Sequence, residues 1–365
     1  MNSQPESNYA LAAASDVVEI PAPELPYQPP APQHYRPRIG LIGCGGISAS
    51  HLDAYRNAGW DVAALCNRTR AKAGQRRREF FPAAEVYSDY RELLGRPDID
   101  VVDIALHPAE RGAVIADALR ARKHVLSQKP LADDLGTARE LATLARAQGV
   151  KLAVNQNGRW APYLSYARHA VAAGLLGEIQ TVQIRINWDH TWCVGTPFEE
   201  VRHLILFDFG IHWFDFVAQA FSGCAARRVL ASVAQAAGQA MKPPMLAQAT
   251  VEFEAGQASL VFDGHSRFGP EETILVTGTH GTLRTRGKVV ENDWVELHTV
   301  NGVCYPKLSG RWFNDGFRGA MGELLCAIEE DREPAHSATN NLRTLALVLA
   351  ACRSADTGQP QIPEV

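Results

Sequence analysis

Three short stretches of the chain carry residues whose types and spacing could do chemistry. The first is Gly43-Cys44-Gly45-Gly46-Ile47-Ser48, which follows a short apolar run and precedes a helix-forming one. In a strand–turn–helix setting each part has a task. Gly43 permits the tight turn, Gly45 lets the backbone approach a pyrophosphate, and the helix start offers free N–H groups to the anion. Ser48 stands where a third glycine would allow the closest strand–helix packing. A glycine turn with no ligand is the bland alternative. The second stretch is Gln128-Lys129-Pro130, behind the run His124 to Ser127. A lysine at the carboxyl end of a parallel strand lies in the crevice where ligands bind, although an exposed loop lysine is common. The third is Asp208-Phe209-Gly210-Ile211-His212, in which Asp208 and His212 are four apart. On a helix they share one face and can touch; a surface pair or an N-terminal cap is the plainer reading.

The elements that must position these residues follow from periodicity. Arg38 to Ile42, Val62 to Cys66, Val101 to Ala105, His124 to Ser127 and Lys151 to Asn155 read as short buried strands. Helices are predicted between them at His51 to Ala58, Ala71 to Phe80, Arg111 to Ala121 and Leu135 to Gln148. Such alternation means a doubly wound parallel sheet of the Rossmann type. After a helix at Tyr163 to Ala173, strands dominate: Thr181 to Trp188, Arg228 to Ala234, Ala247 to Phe253, Gln257 to Asp263, Glu272 to Thr277 and Thr282 to Thr285. Short turns join them, so this half is α+β with a large, mainly antiparallel, open-faced sheet. Helices at Phe317 to Glu330 and Asn340 to Ala355 close the chain, the last with the option of packing back on the first half. The expected divisions are an arm over 1–36, a dinucleotide-binding half over 37–157 and a substrate and oligomerisation half over 158–365. The arm carries Pro21, Pro23, Pro26, Pro29, Pro30 and Pro32 and cannot build a core. It is either a disordered tail or an ordered strap across a neighbouring subunit, with Ile20, Leu25, Tyr27 and Tyr35 to bury.

Size and composition limit the function. The 365 residues suit two domains, and 46% hydrophobic with 21% charged residues is a globular mix. With a formal net charge of -4 and no basic stripe, nucleic acid is not an expected partner. Arg76-Arg77-Arg78 reads as a solvated helix face. The seven cysteines are odd in number and lack Cys-x-x-Cys spacing, which predicts a reduced, cytoplasmic protein with no metal site. No apolar run is long enough for a bilayer, so no membrane partner is expected. No Lys or Arg precedes Arg36, so a secretory signal is not expected.

The tip of the second strand bears on which dinucleotide is bound. A carboxylate there would take the ribose 2′-hydroxyl; arginine without an acid suits a 2′-phosphate. The chain has Asn67-Arg68-Thr69-Arg70. NAD or NADP is therefore the expected cofactor, with a lean to NADP, since Asn67 can still bond a ribose and Arg68 can pair with a phosphate.

Together these residues resemble the glucose–fructose oxidoreductase / inositol dehydrogenase (Gfo/Idh/MocA) family over about residues 38 to 358. The carriers are the Gly43–Ser48 loop, the strand leading to Lys129-Pro130, and the Asp208 and His212 pair. Arg159-Trp160 before Pro162, the Gly174 and Gly177-Glu178 turn, Gly278-Thr279-His280-Gly281-Thr282-Leu283 and the last helix also match. The resemblance implies that Lys129 bonds the reacting hydroxyl, that His212 is the general acid or base, and that Asp208 assists both. It implies a hydride moved between a nicotinamide and a sugar, polyol or related carbonyl compound. Gly43, Gly45, Gly46, Ile47, Asn67 and Arg68 would hold the dinucleotide. Leu106, His107, Gln128 and Lys129 would join them from neighbouring strand ends. Three departures stand out. Gln128 replaces the usual glutamate and removes a charge beside Lys129. Leu106-His107-Pro108-Ala109-Glu110-Arg111 replaces a Thr-Pro-Asn-x-x-His pattern. Arg202-His203-Leu204 replaces a glycine run.

The expected substrate contacts are Asn157, Arg159 and Trp160, then Trp188 and His190 with Trp192 nearby, then Arg202, His203 and His212. Aromatic faces with amides and imidazoles suit the CH face and hydroxyls of a carbohydrate-like small molecule. For the tryptophans a core or subunit interface is the competing place. Two other functions stay open: a glycoside-cleaving enzyme that keeps its NAD and oxidises transiently, and a non-catalytic dinucleotide sensor. The open face of the sheet predicts a homodimer or homotetramer.

Overall fold

The computed structural model describes residues 18–292 and 294–364. The first half runs β1 (Arg38–Ile42), α1 (Ser48–Asn57), β2 (Asp61–Cys66), α2 (Arg70–Phe80), β3 (Glu85–Tyr87) and α3 (Tyr90–Leu94). It continues with β4 (Val101–Ile104), α4 (Pro108–Arg120), β5 (His124–Ser127), α5 (Leu135–Gln148) and β6 (Leu152–Val154). The second half has α6 (Pro162–Ala172), β7 (Ile179–Asn187), α7 (Ile211–Ala220), β8 (Ala226–Ala234), β9 (Leu246–Phe253) and β10 (Gln257–Asp263). Then come β11 (Glu271–Gly278), β12 (Gly281–Gly287), β13 (Trp294–Thr299), β14 (Gly302–Cys304), α8 (Trp312–Glu329) and α9 (Ala338–Thr357).

The six strands of the first half are all parallel, in the order β3-β2-β1-β4-β5-β6. Strand order reverses between β1 and β4, which opens a crevice at their carboxyl ends. The Gly43–Ser48 loop leaves β1 there, Leu106 and His107 leave β4, and Lys129 leaves β5. All four residues of β4 are buried, as both faces of a parallel sheet require.

The second sheet has the order β14-β13-β12-β11-β7-β10-β9-β8. The expected antiparallel meander is interrupted in one place: β7 inserts between β11 and β10 and pairs with β10 in parallel. In β9 and β10 burial alternates, with Val251, Phe253, Ala258 and Leu260 turned to the helices. The other face is open and exposes Leu230, Val261 and Trp294.

The last two helices bind the halves together. Phe317, Ala320, Met321 and Leu324 of α8 join Ile39, Leu41 and Tyr55 in one cluster. In α9, Leu345 and Ala346 belong to a cluster with β4 and α5, while Leu347, Val348 and Ala351 face the second sheet's core. The described part of the arm lies along its own chain. The Ile20 N–H donates to the Val303 carbonyl at 2.8 Å, and the Gln33 and His34 N–H groups donate to the Glu329 carboxylate on α8. Residues 18–36 are thus an ordered strap along their own chain and not a disordered tail. The rest of the arm, 1–17, lies outside the described residues.

A buried ion pair fixes α7 to the turn that precedes α6. Asp215 receives two bonds from Arg159, both at 2.7 Å, and a third from the Thr344 hydroxyl. Both partners are almost fully buried. Removing the acid would strand a buried guanidinium. We therefore expect Asp215→Ala to lower unfolding free energy by about 3–5 kcal/mol. Urea denaturation checks this, and an unchanged midpoint would contradict it.

Candidate active site

The loop after β1 has the shape a pyrophosphate needs. Gly43 has φ +102°, and a Cβ on it would fall 2.5 Å from the Ala105 carbonyl oxygen. A side chain there is excluded by backbone and by conformation. Gly45 and Gly46 are different: a Cβ on either meets nothing within 4 Å, so the space above them is free for a ligand. Helix α1 begins at Ser48 with no side chain capping its first N–H groups. Free amides, open space and a helix start fit a dinucleotide phosphate.

Around this loop the structure adds and corrects. The Asn67 side-chain oxygen accepts the Cys44 N–H at 3.1 Å, so the β2 tip supports the loop. Arg68 reaches across the crevice mouth to Glu110, Nη2 to Oε1 2.6 Å, with both groups substantially exposed. Arg76 does not sit on a solvated face. Its Nε donates to the Ser48 hydroxyl and its Nη2 to the Gly45 carbonyl, each at 3.1 Å. The arginine run concealed it, because the run as a whole looks like solvent-facing helix.

Lys129 and Asp208 meet. The Lys129 ammonium donates to the Asp208 carboxylate at 3.0 Å and to its main-chain carbonyl at 2.8 Å, and both side chains are nearly buried. The regular helix expected under Asp208 and His212 is absent. Asp208 lies in a π-turn, Ile205–Phe209, and His212 in the first turn of α7. Gly210 joins the two, where a Cβ would be 2.7 Å from the Ile205 carbonyl oxygen. The π-turn turns Asp208 to Lys129, a local distortion of the kind found at functional sites. Among the described residues Asp208 and His212 share no hydrogen bond.

His212 packs edge-on to Trp312, ring centroids 5.4 Å apart, and lies beside Gly158, where a Cβ would press on the Trp312 ring at 3.1 Å. Part of the residue touches solvent, yet protein encloses the ring. Burial first, and the Lys129 ammonium second, hold its pKa well below the usual histidine value. Its Nδ1 is buried without a hydrogen-bond partner. The imidazole is thus neutral at physiological pH and suited to accept a proton.

An aromatic wall stands beside the lysine. The Lys129 ammonium lies 5.8 Å from the Phe209 ring centre. Phe209 contacts His190 (3.9 Å between centroids), Phe198 (5.7 Å) and Trp192 (6.0 Å). His107, from the β4 loop, meets Phe198 edge-on at 5.6 Å. Trp192 is 56% exposed and stands off the core, whereas Trp188, half-buried, packs against the core of the second half. The His190 imidazole is pushed down to about 4 by burial, and one ring nitrogen meets the Trp188 carbonyl. The sequence gives no sign that Phe198 and Phe209 join this wall, because isolated phenylalanines carry no spacing signal.

Other expected substrate residues are engaged elsewhere. Arg159 is consumed by Asp215, the Ala335 carbonyl and Asn340, so it organises the turn rather than facing the crevice. Trp160 is 4% exposed and packed so tightly on Gly319 that a Cβ there would lie 2.2 Å from its ring; it is core. Arg202 and His203 both bond Asp356 at the end of α9, at 2.6 and 2.8 Å. Asn157 accepts the Trp312 indole N–H at 3.1 Å and so steadies the ring under His212. Among the described residues no cluster of three or more His, Cys, Asp or Glu could hold a metal ion. No helix among them is long and apolar enough to cross a membrane.

A parallel sheet with a phosphate-shaped loop, and a lysine, a carboxylate and a neutral imidazole at its crevice, define a nicotinamide-dependent oxidoreductase. The profile of the oxidoreductase family with NAD-binding Rossmann fold matches residues 37–156, and that of the GFO/IDH/MocA C-terminal domain matches 164–284. The chain belongs to the GFO/IDH/MocA family. It is 28% identical over 343 residues to the D-apiose dehydrogenase of Paraburkholderia graminis, covering 87% of this chain and 88% of that one. It is 27% identical to the 1,5-anhydro-D-fructose reductase of Ensifer adhaerens, covering 88% and 97%. The crystal structure of an oxidoreductase from Agrobacterium radiobacter, in complex with NAD+, L-tartaric acid and magnesium, superposes with a TM-score of 0.80. Its sequence identity is 22%, and the match covers 90% of this chain and 99% of that one.

Proposed function

We propose that the chain is a dehydrogenase or reductase of the CH–OH group of a sugar, polyol or related carbonyl compound. Residues 37–157 would bind the cofactor and 158–365 the substrate, with 1–36 an arm. The observation that carries the reading is the Lys129–Asp208 pair at the mouth of β5, beside a neutral His212 and an exposed aromatic wall. The Gly43–Ser48 loop would hold the pyrophosphate, with Ile47 beside it; Asn67 and Arg68 would meet the adenosine ribose. Leu106, His107 and Gln128 would complete the crevice. When bound, the nicotinamide supplies the acceptor or donor of a hydride.

The protein's own part is proton handling and orientation. Lys129 would hold the reacting oxygen and favour its negative charge in the transition state. Asp208 holds the ammonium in place. His212 would take the hydroxyl proton during oxidation. Trp188, Trp192 and Phe209 offer faces for sugar C–H bonds and shed water.

NADP is favoured over NAD. No carboxylate stands at the tip of β2, and the bond between Arg68 and Glu110 joins two exposed groups. Such a pair is worth about 0–1 kcal/mol, so a 2′-phosphate can displace it. The free cysteines support a reducing, cytoplasmic location. The apolar side chains on the open sheet face support pairing with a second copy as a homodimer or homotetramer.

The test is turnover of a panel containing D-apiose, 1,5-anhydro-D-fructose and myo-inositol, read at the nicotinamide absorbance with each dinucleotide. Net NADPH formation or consumption with a carbohydrate is the expected result. Tightly held cofactor that never exchanges, with no net reduction on any polyol or sugar, would overturn it.

A further inference from the structure

Arg111, in the first turn of α4, is 2% exposed, and among the described residues it has no carboxylate within ion-pair distance. Burying a charge in this way is costly unless all its donors are used. Here four of the five N–H donors are used, all of them on backbone carbonyls. Nε donates to the Leu106 carbonyl at 3.0 Å, Nη1 to the Gln128 carbonyl at 2.7 Å and also to the Pro130 carbonyl, and Nη2 to Leu106 again. Burial draws the guanidinium down to about 10, opposed by Asp208 and Asp133, so it stays charged at neutral pH.

The carbonyls belong to two loops. One leaves β4 and carries His107, which abuts the aromatic wall. The other leaves β5 and carries Lys129. The second loop is also held from the opposite side. The Gln128 side-chain oxygen accepts the Asn155 amide and the Lys129 N–H, both at 3.1 Å. Lys129 therefore sits on a segment whose main-chain carbonyls are gripped by Arg111 and whose neighbouring side chain is gripped by Asn155. A guanidinium suits this task because its planar fork sets a fixed spacing between acceptors, which a flexible ammonium does not.

We propose that Arg111 is a positioning residue that clamps the β4 and β5 loops together and so sets the distance from Lys129 to the aromatic wall. The inference rests on the reading of Lys129 as the group that handles the reacting oxygen. The experiment compares full-length wild type, Arg111→Met, Arg111→Lys and Lys129→Met. Hydrogen exchange is followed over 105–108 and 127–131, together with NADPH affinity and kcat on whichever panel compound wild type turns over. In Arg111→Met both segments are expected to lose protection together. Its kcat should fall by about 100-fold, the effect of a misplacement near 1 Å, and any loss of NADPH affinity should be much smaller than that.

Arg111→Lys keeps the charge without the fork; kcat between the two is expected, and wild-type kcat and protection would overturn the clamp, even where Arg111→Met fails to fold. So would a folded Arg111→Met in which only one segment loosens, or in which kcat per folded molecule is unchanged. If Lys129→Met is inactive while Arg111→Met is normal, the clamp alone fails. If Lys129→Met is fully active, the reading of Lys129 fails first. The exchange measurement needs no substrate and stands apart from that outcome.

Discussion

Replacing Lys129 by methionine is expected to remove about a thousandfold or more of turnover, as loss of a positioned proton and charge partner does. Methionine keeps an unbranched apolar stem one atom shorter, so the change is chiefly loss of the ammonium with its charge and donors. In the wild type the ammonium gives one bond to the Asp208 carboxylate and one to its carbonyl. The variant would leave a nearly buried carboxylate without its cation. Affinity for the dinucleotide should fall far less than turnover, because the loop at Gly45 and Gly46 is held by Asn67 and Arg76. A stopped-flow burst and a binding titration separate the two effects. A variant that binds and turns over like wild type would remove Lys129 from the mechanism.

The second large effect concerns His212. With its pKa held well below the usual histidine value, the imidazole stays neutral as pH falls through 6.5. A histidine of ordinary pKa would be half protonated there and would lose half its capacity as a base. The oxidation rate is therefore expected to remain level from pH 8 to about 6 and to decline only in more acidic buffer. His212→Ala should lose about 10²–10⁴ of kcat and the acid limb with it. Because Lys129 contributes to the depression, any residual acid limb in Lys129→Met should move toward higher pH. A wild-type profile already falling with a midpoint near 6.5 would contradict a buried, neutral His212.

The sequence makes the alternating first half readable because buried parallel strands and amphipathic helices differ in period. It hides Glu85–Tyr87, Tyr90–Leu94 and Gly302–Cys304, which are too short to show a period. It also hides the parallel β7–β10 pair, since neighbours in a sheet are set by long-range packing and not by spacing. The site divides in the same way. Gly43, Lys129, Asp208 and His212 stand out because the chemistry restricts residue type. The π-turn is invisible, so four-residue spacing suggests a regular helix under Asp208 and His212 that the backbone does not form. Arg159 and Trp160 lie beside the site in sequence but turn into the core. Arg76 and Arg111 run the other way: helix-face reasoning assigns them to solvent or to nothing, and both fold back onto main-chain carbonyls at the crevice.

The most direct test of the account is dinucleotide binding by wild type and Gly45→Val. A Cβ at Gly45 meets no protein atom within 4 Å, so the substitution should keep the fold and project its side chain into the space the ligand would take. Wild type is expected to bind NADP, and NAD more weakly. Gly45→Val should weaken both by at least about tenfold, a loss of about 1.4 kcal/mol. If wild type binds neither, or if an equally stable Gly45→Val binds as well as wild type, the Gly43–Ser48 loop is not a cofactor site and the mechanism built on it fails.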